Sequence, residues 1–301
     1  MARRFRFGVN FLEAASGQEW ATKCQYAESL GYDVLLVPDH LGWPAPFPSL
    51  VAAAQATTRP RVGTFVLNVG FWNPALLARE VATTDRLTAG RLELGLGTGY
   101  VRSEFDDAGL PFGTRGSRVD HLERTVKEVH RLLGDPAHTP RPEQKPHPPL
   151  LLGGNGDRVL RMAARHADIA AFAGAEHVEG APDGGLRLLD ADRLEERVGA
   201  CLDFAGDRTQ MPELNILVQR VVVTDDRAEA IEGLRPYAPH LTEDQLLRVP
   251  TLLHGSVEAI VDQLRSHRER FGFSYYTVLE PSMEAMAPVI ARLREEEAEE
   301  G

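Results

Sequence analysis

Short runs of aliphatic residues alternate along the chain with longer amphipathic stretches. RFGVNF (6–11), DVLLVP (33–38), RVGTFVL (61–67), RLELGLG (91–97), LLLGG (150–154), DIAAFAG (168–174), LNILVQRVVVT (214–224) and SYYTVLEP (274–281) read as eight strands. Their apolar residues are nearly continuous, which marks strands covered on both faces, as in a parallel sheet. The intervening stretches carry the helical period. Over 18–31, Trp20, Cys24, Ala27 and Leu30 share one face and Gly31 closes the helix. Over 73–90, Asn73-Pro74 opens a helix and Gly90 stops it. Further helices are expected over 48–58, 117–133, 156–166, 190–205 and 284–297, with two or three between the last two strands, 256–272 among them.

Strand followed by helix, repeated eight times, predicts an α/β fold of the (β/α)8 TIM-barrel type. A doubly wound open sheet is the alternative. The segment GDPAHTPRPEQKPHPP (134–149) is proline-rich and irregular. The alternation runs straight through it, so it is an insertion before the fifth strand, and residues 1–301 form a single domain.

Composition narrows the partners. The chain has 301 residues and a formal net charge of −11, which argues against nucleic acid and against an anionic membrane. No apolar run approaches the roughly 20 residues of a membrane span. Asn10 and Glu13 interrupt what would be a signal core, so a cytoplasmic location is expected. Cys24 and Cys201 form no C-x-x-C pair and read as small buried residues. The histidines, His138 and His147 among them, show no metal-ligand spacing, and no metal site is expected.

A barrel of this kind works at the C-terminal ends of its strands. There the sequence places Asn10 and Phe11, then Asp39, His40 and Trp43, then Asn68 and Trp72. Gly97, Thr98, Gly99, Tyr100, Ser103 and Glu104 follow the fourth strand; Gly153, Gly154, Asn155 and Gly156 follow the fifth, His177 the sixth and Glu280 the eighth. Such a rim suits a flat aromatic ligand bearing a phosphate. GGNGDR (153–158) is the phosphate candidate, because glycines let the backbone approach an anion at a helix start; an empty strand-to-helix turn is the plainer alternative. GLGTG (95–99) is a weak dinucleotide fingerprint and reads better as a flat backbone platform. Asp39-His40 has a plain reading as a satisfied turn. Its functional reading is a proton-transfer group, since histidine titrates near neutrality.

AESLGYDVLLVPDH, RVGTFVL with NPALLAREVATTDRLTAGRLELGLGTGY, EFDDAGLPF, PPLLLGGNG and HGSVEAIVDQL, in that order, resemble the bacterial luciferase-like superfamily. The Asp-His pair after strand two resembles the branch that uses the deazaflavin coenzyme F420 in place of FMN. The resemblance implies a cofactor ring across the barrel mouth, Asp39 at its polar edge, and His40 facing the substrate as proton donor or acceptor. It implies a cis peptide bulge at Phe65–Val66 behind the ring, and places Asn68, Gly97, Thr98, Gly99 and Ser103 beside the cofactor. Gly153, Gly154, Asn155 and Gly156 would take its phosphate region. Deazaflavin-dependent sugar-phosphate dehydrogenases carry a glutamate directly after GTG; Tyr100 stands there in this chain. With a reference pKa of about 10 it is a poor acid at neutral pH, so their substrate is not carried over.

Three activities follow. The first is hydride transfer between F420 and a small organic substrate, with His40, Asp39 and Tyr100 catalytic and Phe11, Trp43, Trp72, Phe112 and His177 around the substrate. The second is an FMN-dependent monooxygenase using O2. The third is a non-catalytic barrel that binds a flavin or deazaflavin. A homodimer is expected from the habit of the relatives.

Overall fold

The computed structural model describes residues 3–13, 15–178, 180–181 and 185–299. In chain order the elements begin β1 (Arg6–Asn10), α1 (Gly17–Ser29), β2 (Val34–Val37), α2 (Pro46–Ala56), β3 (Arg61–Thr64), β4 (Leu67–Asn68), α3 (Pro74–Leu87) and β5 (Leu92–Gly97). They continue with α4 (Arg102–Asp107), α5 (Arg115–Gly134), β6 (Leu150–Gly153), α6 (Asp157–His166), β7 (Ile169–Phe172), β8 (Ala175–His177) and β9 (Leu186–Leu188). The last third holds α7 (Ala191–Ala205), β10 (Glu213–Val218), β11 (Arg220–Val223), α8 (Arg227–Leu234), α9 (Glu243–Leu246), β12 (Leu252–Gly255), α10 (Val257–Phe271), β13 (Phe273–Leu279) and α11 (Met283–Glu299).

The strands β3, β2, β1, β13, β10, β7, β6 and β5 pair in that order, and β3 also pairs with β5. Every pairing in this sheet is parallel, so the sheet closes into the expected eight-stranded barrel. Side-chain alternation explains the continuous apolar strands. Leu36, Leu151, Ile169, Ala171 and Tyr275 fill the barrel interior, while Val9, Leu35, Val37, Leu94 and Leu152 pack outward under the helices. The caps are those the sequence supplies. Ser16 and Glu19 form a capping box on α1, and Asn73 accepts from the Ala75 and Leu76 amides at the start of α3. Cys24 and Cys201 are free and buried, and burial pushes their thiols up to about 12 and about 11.

Two expected strands are interrupted. The third breaks at Phe65–Val66, where the peptide bond is cis, and resumes as β4. The seventh ends at Val218; after Gln219 the chain leaves the barrel, and β11 pairs instead with β12 in a separate two-stranded sheet. A short antiparallel hairpin, β8 with β9, extends the barrel beyond β7. Residues 179 and 182–184 of the expected glycine-rich loop lie outside the described residues.

The proline-rich segment is on the far side of the barrel from the strands' C-terminal ends. Gln144 bonds to the Asp85 carboxylate, to the Leu92 carbonyl at the start of β5 and to Arg61. It therefore seals the barrel floor and does not wall the mouth. Below it, the buried Glu93 carboxylate receives Arg6 and Arg61, and Arg6 also reaches Glu213 at 2.5 Å. These groups line a cavity of ≈ 950 Å³ at the N-terminal end. Glu93→Ala would leave two guanidiniums without their shared partner. Because both arginines keep some solvent, the expected loss is about 2–3 kcal/mol in chemical denaturation, less than for a fully dry pair. A loss below about 1 kcal/mol would show that water already screens the cluster.

Candidate active site

The chain leaves β2 through Pro38 and turns at once. Asp39 is partly buried, and its Oδ2 accepts from the Asn68 amide at 3.1 Å and from Trp72 Nε1 at 3.0 Å. One carboxylate oxygen thus ties the end of β2 to the end of β4. Burial pushes the Asp39 carboxyl above the usual carboxylate range, and Glu104 adds to this. The two hydrogen bonds and nearby His40 pull it back part of the way.

His40 points to another loop. Its Nδ1 lies 2.7 Å from Oε1 of Glu104 on α4. An ionised carboxylate can only accept, so Nδ1 carries the proton and Nε2 is left to the other side of the ring. Trp43 meets the imidazole edge-on at 4.7 Å, and Tyr100 at 5.8 Å. Tyr100 in turn lies 5.9 Å from His177 on β8. Rings from three loops therefore stand together on one side of the mouth. Burial and the Glu104 charge push the Tyr100 phenol up, which keeps it a neutral hydrogen-bond donor.

The backbone platform lies beside these rings. The Val66 side chain, carried by the cis bulge, faces both glycine segments. A Cβ at Gly97 would stand 2.6 Å from Val66 Cγ2, and Gly153 faces the same side chain. Gly99 has φ +69°, and a Cβ there would strike the Asn68 side chain at 2.1 Å. Asn68 accepts from the Gly70 amide, so its orientation is fixed. Asn10 donates to the Phe65 carbonyl at 3.5 Å, and its own Oδ1 is buried with no partner in the protein. A buried acceptor without a donor, next to the bulge, suits a ligand that brings one.

In the 153–156 loop, Gly154 donates to the Ala171 carbonyl at 3.4 Å and the Asn155 amide to the Ala175 carbonyl. Gly156 caps α6 without any side-chain bond to the helix amides. The start of α6 is thereby open to an anion. Thr98 follows Gly97 directly, and exposed Ser103 lies on α4.

The expected pocket walls separate. Trp43 and His177 join the ring cluster, and Trp72 is tied in through Asp39 while packing edge-on against Phe47 at 5.3 Å. Phe11 is fully buried against Trp20, with Lys23 over its face. Phe112 packs on Phe105 at 5.1 Å, under Arg118 and Arg102. These two phenylalanines stand behind the rim. Glu280 is also outside the ring cluster: it pairs with Lys23 and accepts from the Leu12 amide at 2.7 Å. The partner that sequence reading did not find is Glu104, which it placed only among the residues after the fourth strand. No local pattern joins positions 40 and 104.

Asp39→Asn keeps an acceptor oxygen for Trp72 and Asn68 and removes a charge that burial disfavours. A raised folded-state pKa means that ionised Asp39 weakens the fold above that pKa and not below the unfolded value. The variant is therefore expected to melt at or above the wild-type temperature at pH 8, the difference closing as pH falls towards about 4. A variant clearly less stable at pH 8 would show that the charge itself holds the rim.

Residues 12–244 match the luciferase-like monooxygenase family. The chain is 28% identical over 256 residues to an F420-dependent glucose-6-phosphate dehydrogenase of Nakamurella multipartita, covering 77% of this chain and 72% of that one. It is 29% identical over 143 residues to an FMNH(2)-dependent dimethylsulfone monooxygenase of Pseudomonas putida, covering 43% of this chain and 39% of that one. Its fold superposes on an F420-dependent secondary alcohol dehydrogenase in complex with an F420-acetone adduct, with a TM-score of 0.73 at 18% identity, over 96% of this chain and 97% of the other. With more than half of its length matched to one family and the barrel closed as that family requires, the chain belongs to the luciferase-like monooxygenase family.

Proposed function

We propose that this protein is an oxidoreductase that transfers a hydride between coenzyme F420 and a small organic substrate. The observation that carries the reading is the Asp39-His40-Glu104 arrangement at the barrel mouth, beside the cis Phe65–Val66 bulge. The residues present suit a flat ring. The glycine platform at 97–99 and the orphaned Asn10 oxygen border the bulge, and the uncapped start of α6 suits a phosphate. When bound, the deazaflavin supplies a carbon centre that carries a hydride.

Each residue then has a defined task. Asp39 orients the polar edge of the cofactor while holding Trp72 and the β4 end in place. Glu104 holds His40 through Nδ1, and the imidazole Nε2 gives or takes one proton at the substrate. Trp43, Tyr100 and His177 exclude water from that proton. Tyr100 donates a hydrogen bond and does not act as the acid.

A second reading is an FMN-dependent monooxygenase; the Pseudomonas relative favours it. Cofactor titration followed by tryptophan quenching separates the two, since Trp43 and Trp72 stand at the mouth. F420 is expected to bind at least tenfold more tightly than FMN; the reverse order, with O2 uptake, would overturn the proposal. His40→Ala is expected to lower turnover by about 10²–10⁴-fold with cofactor affinity within threefold of wild type. Full turnover in His40→Ala would remove the histidine from the chemistry.

Glu104→Gln keeps a hydrogen-bonding group and loses the charge. Its expected effect is a tenfold or smaller loss of kcat with a displaced pH profile, measured against unchanged cofactor affinity. An unaltered profile would make Glu104 a brace only.

A further inference from the structure

Arg102 opens α4, and Arg115 and Arg118 occupy the first turns of α5. Among the described residues, none of the three has a carboxylate within ion-pair distance, in a chain whose formal net charge is −11. Other arginines do have such partners: Arg158 has Asp120 and Glu123, Arg197 has Asp157, and Arg193 has Glu176. The first turn of α5 contains no acid, so Arg115 and Arg118 oppose the helix dipole without compensation.

The cluster is nevertheless held in place. The Phe112 ring lies 3.9 Å from the Arg118 guanidinium carbon and 5.2 Å from that of Arg102. Arg118 Nε donates to the Gly99 carbonyl at 3.2 Å, which fixes the cluster beside the glycine platform of the mouth. Burial and the like charges of Arg115 and Arg102 push the Arg118 guanidinium down. Three like charges gathered here, two of them on one ring and two against a helix dipole, cost stability unless something anionic joins them.

We infer that Arg102, Arg115 and Arg118 form a second anion site at the mouth, which binds the charged tail of the cofactor beyond its phosphate. The inference rests on the proposed function and deepens it. The open start of α6 can meet one phosphate; three further cations call for additional negative charge, of the kind a chain of carboxylates carries. Coenzyme F420 carries such a tail, whereas FMN ends at its phosphate. The site would then favour the deazaflavin through its tail as well as through its ring.

The test compares ligands that share a ring and differ in charge. F420 is titrated against the deazaflavin phosphate that has the same ring, sugar chain and phosphate but no carboxylate tail, at low and high salt. Wild type is expected to bind F420 at least tenfold more tightly than the tailless phosphate, the gap narrowing as salt rises. Arg102→Ala/Arg115→Ala is expected to reduce the gap to under threefold with the tailless phosphate's affinity unchanged, and Arg102→Lys/Arg115→Lys to restore much of it. Equal affinity for the two deazaflavins, or a gap that the alanine variant leaves intact, overturns the site while the proposed function stands. If FMN binds and neither deazaflavin does, the proposed function fails and takes the site with it.

Discussion

The barrel mouth is organised by one carboxylate oxygen. Oδ2 of Asp39 accepts two donors from the neighbouring strand end, the Asn68 amide and the Trp72 indole. Asn68 is the residue that pairs across to Gly97, so the tie reaches β5 and the glycine platform through backbone pairing. His40 follows directly in sequence and inherits its position from Asp39 on one side and Glu104 on the other. The arrangement places a charge where burial disfavours it. Local electrostatics that work against the fold are expected at a functional site, where binding sets the requirement.

The two ends of the barrel treat charge in opposite ways. At the floor, Arg6 and Arg61 share Oε1 of Glu93, and Arg6 also reaches Glu213 and stacks on Tyr275 at 4.5 Å, so the cations are paired although Glu93 Oε2 has no partner. At the mouth, Arg102, Arg115 and Arg118 lack anionic partners and Asn10 Oδ1 lacks a donor. This division follows the general separation in such barrels of a stabilising N-terminal face from a working C-terminal face.

The barrel was legible because its strands are covered on both sides, so that each is a dense aliphatic run bounded by turn residues. The position of Asp39, His40 and the glycine segments at strand ends was legible for a related reason: polar residues and glycines there stand out against those runs. The seventh strand was misread because the apolar run resumes after Gln219, and local pattern cannot say that Arg220–Val223 pairs with Leu252–Gly255 outside the barrel. Glu104 was missed because its contact spans 64 positions. Phe11 and Phe112 were placed at the pocket because an aromatic near a strand end faces either the mouth or the layer behind it, and sequence does not distinguish the two.

The floor position of the proline-rich segment changes what its length means. Gln144 anchors it to Asp85, Leu92 and Arg61, at the strand starts, whereas His40 follows a strand end. Variation there between related chains is therefore silent about substrate choice and speaks only to how the floor is sealed. The hairpin that brings His177 to Tyr100 stands instead beside the His40 ring cluster, so under the proposed function a change there alters the surroundings of the proton-transfer group.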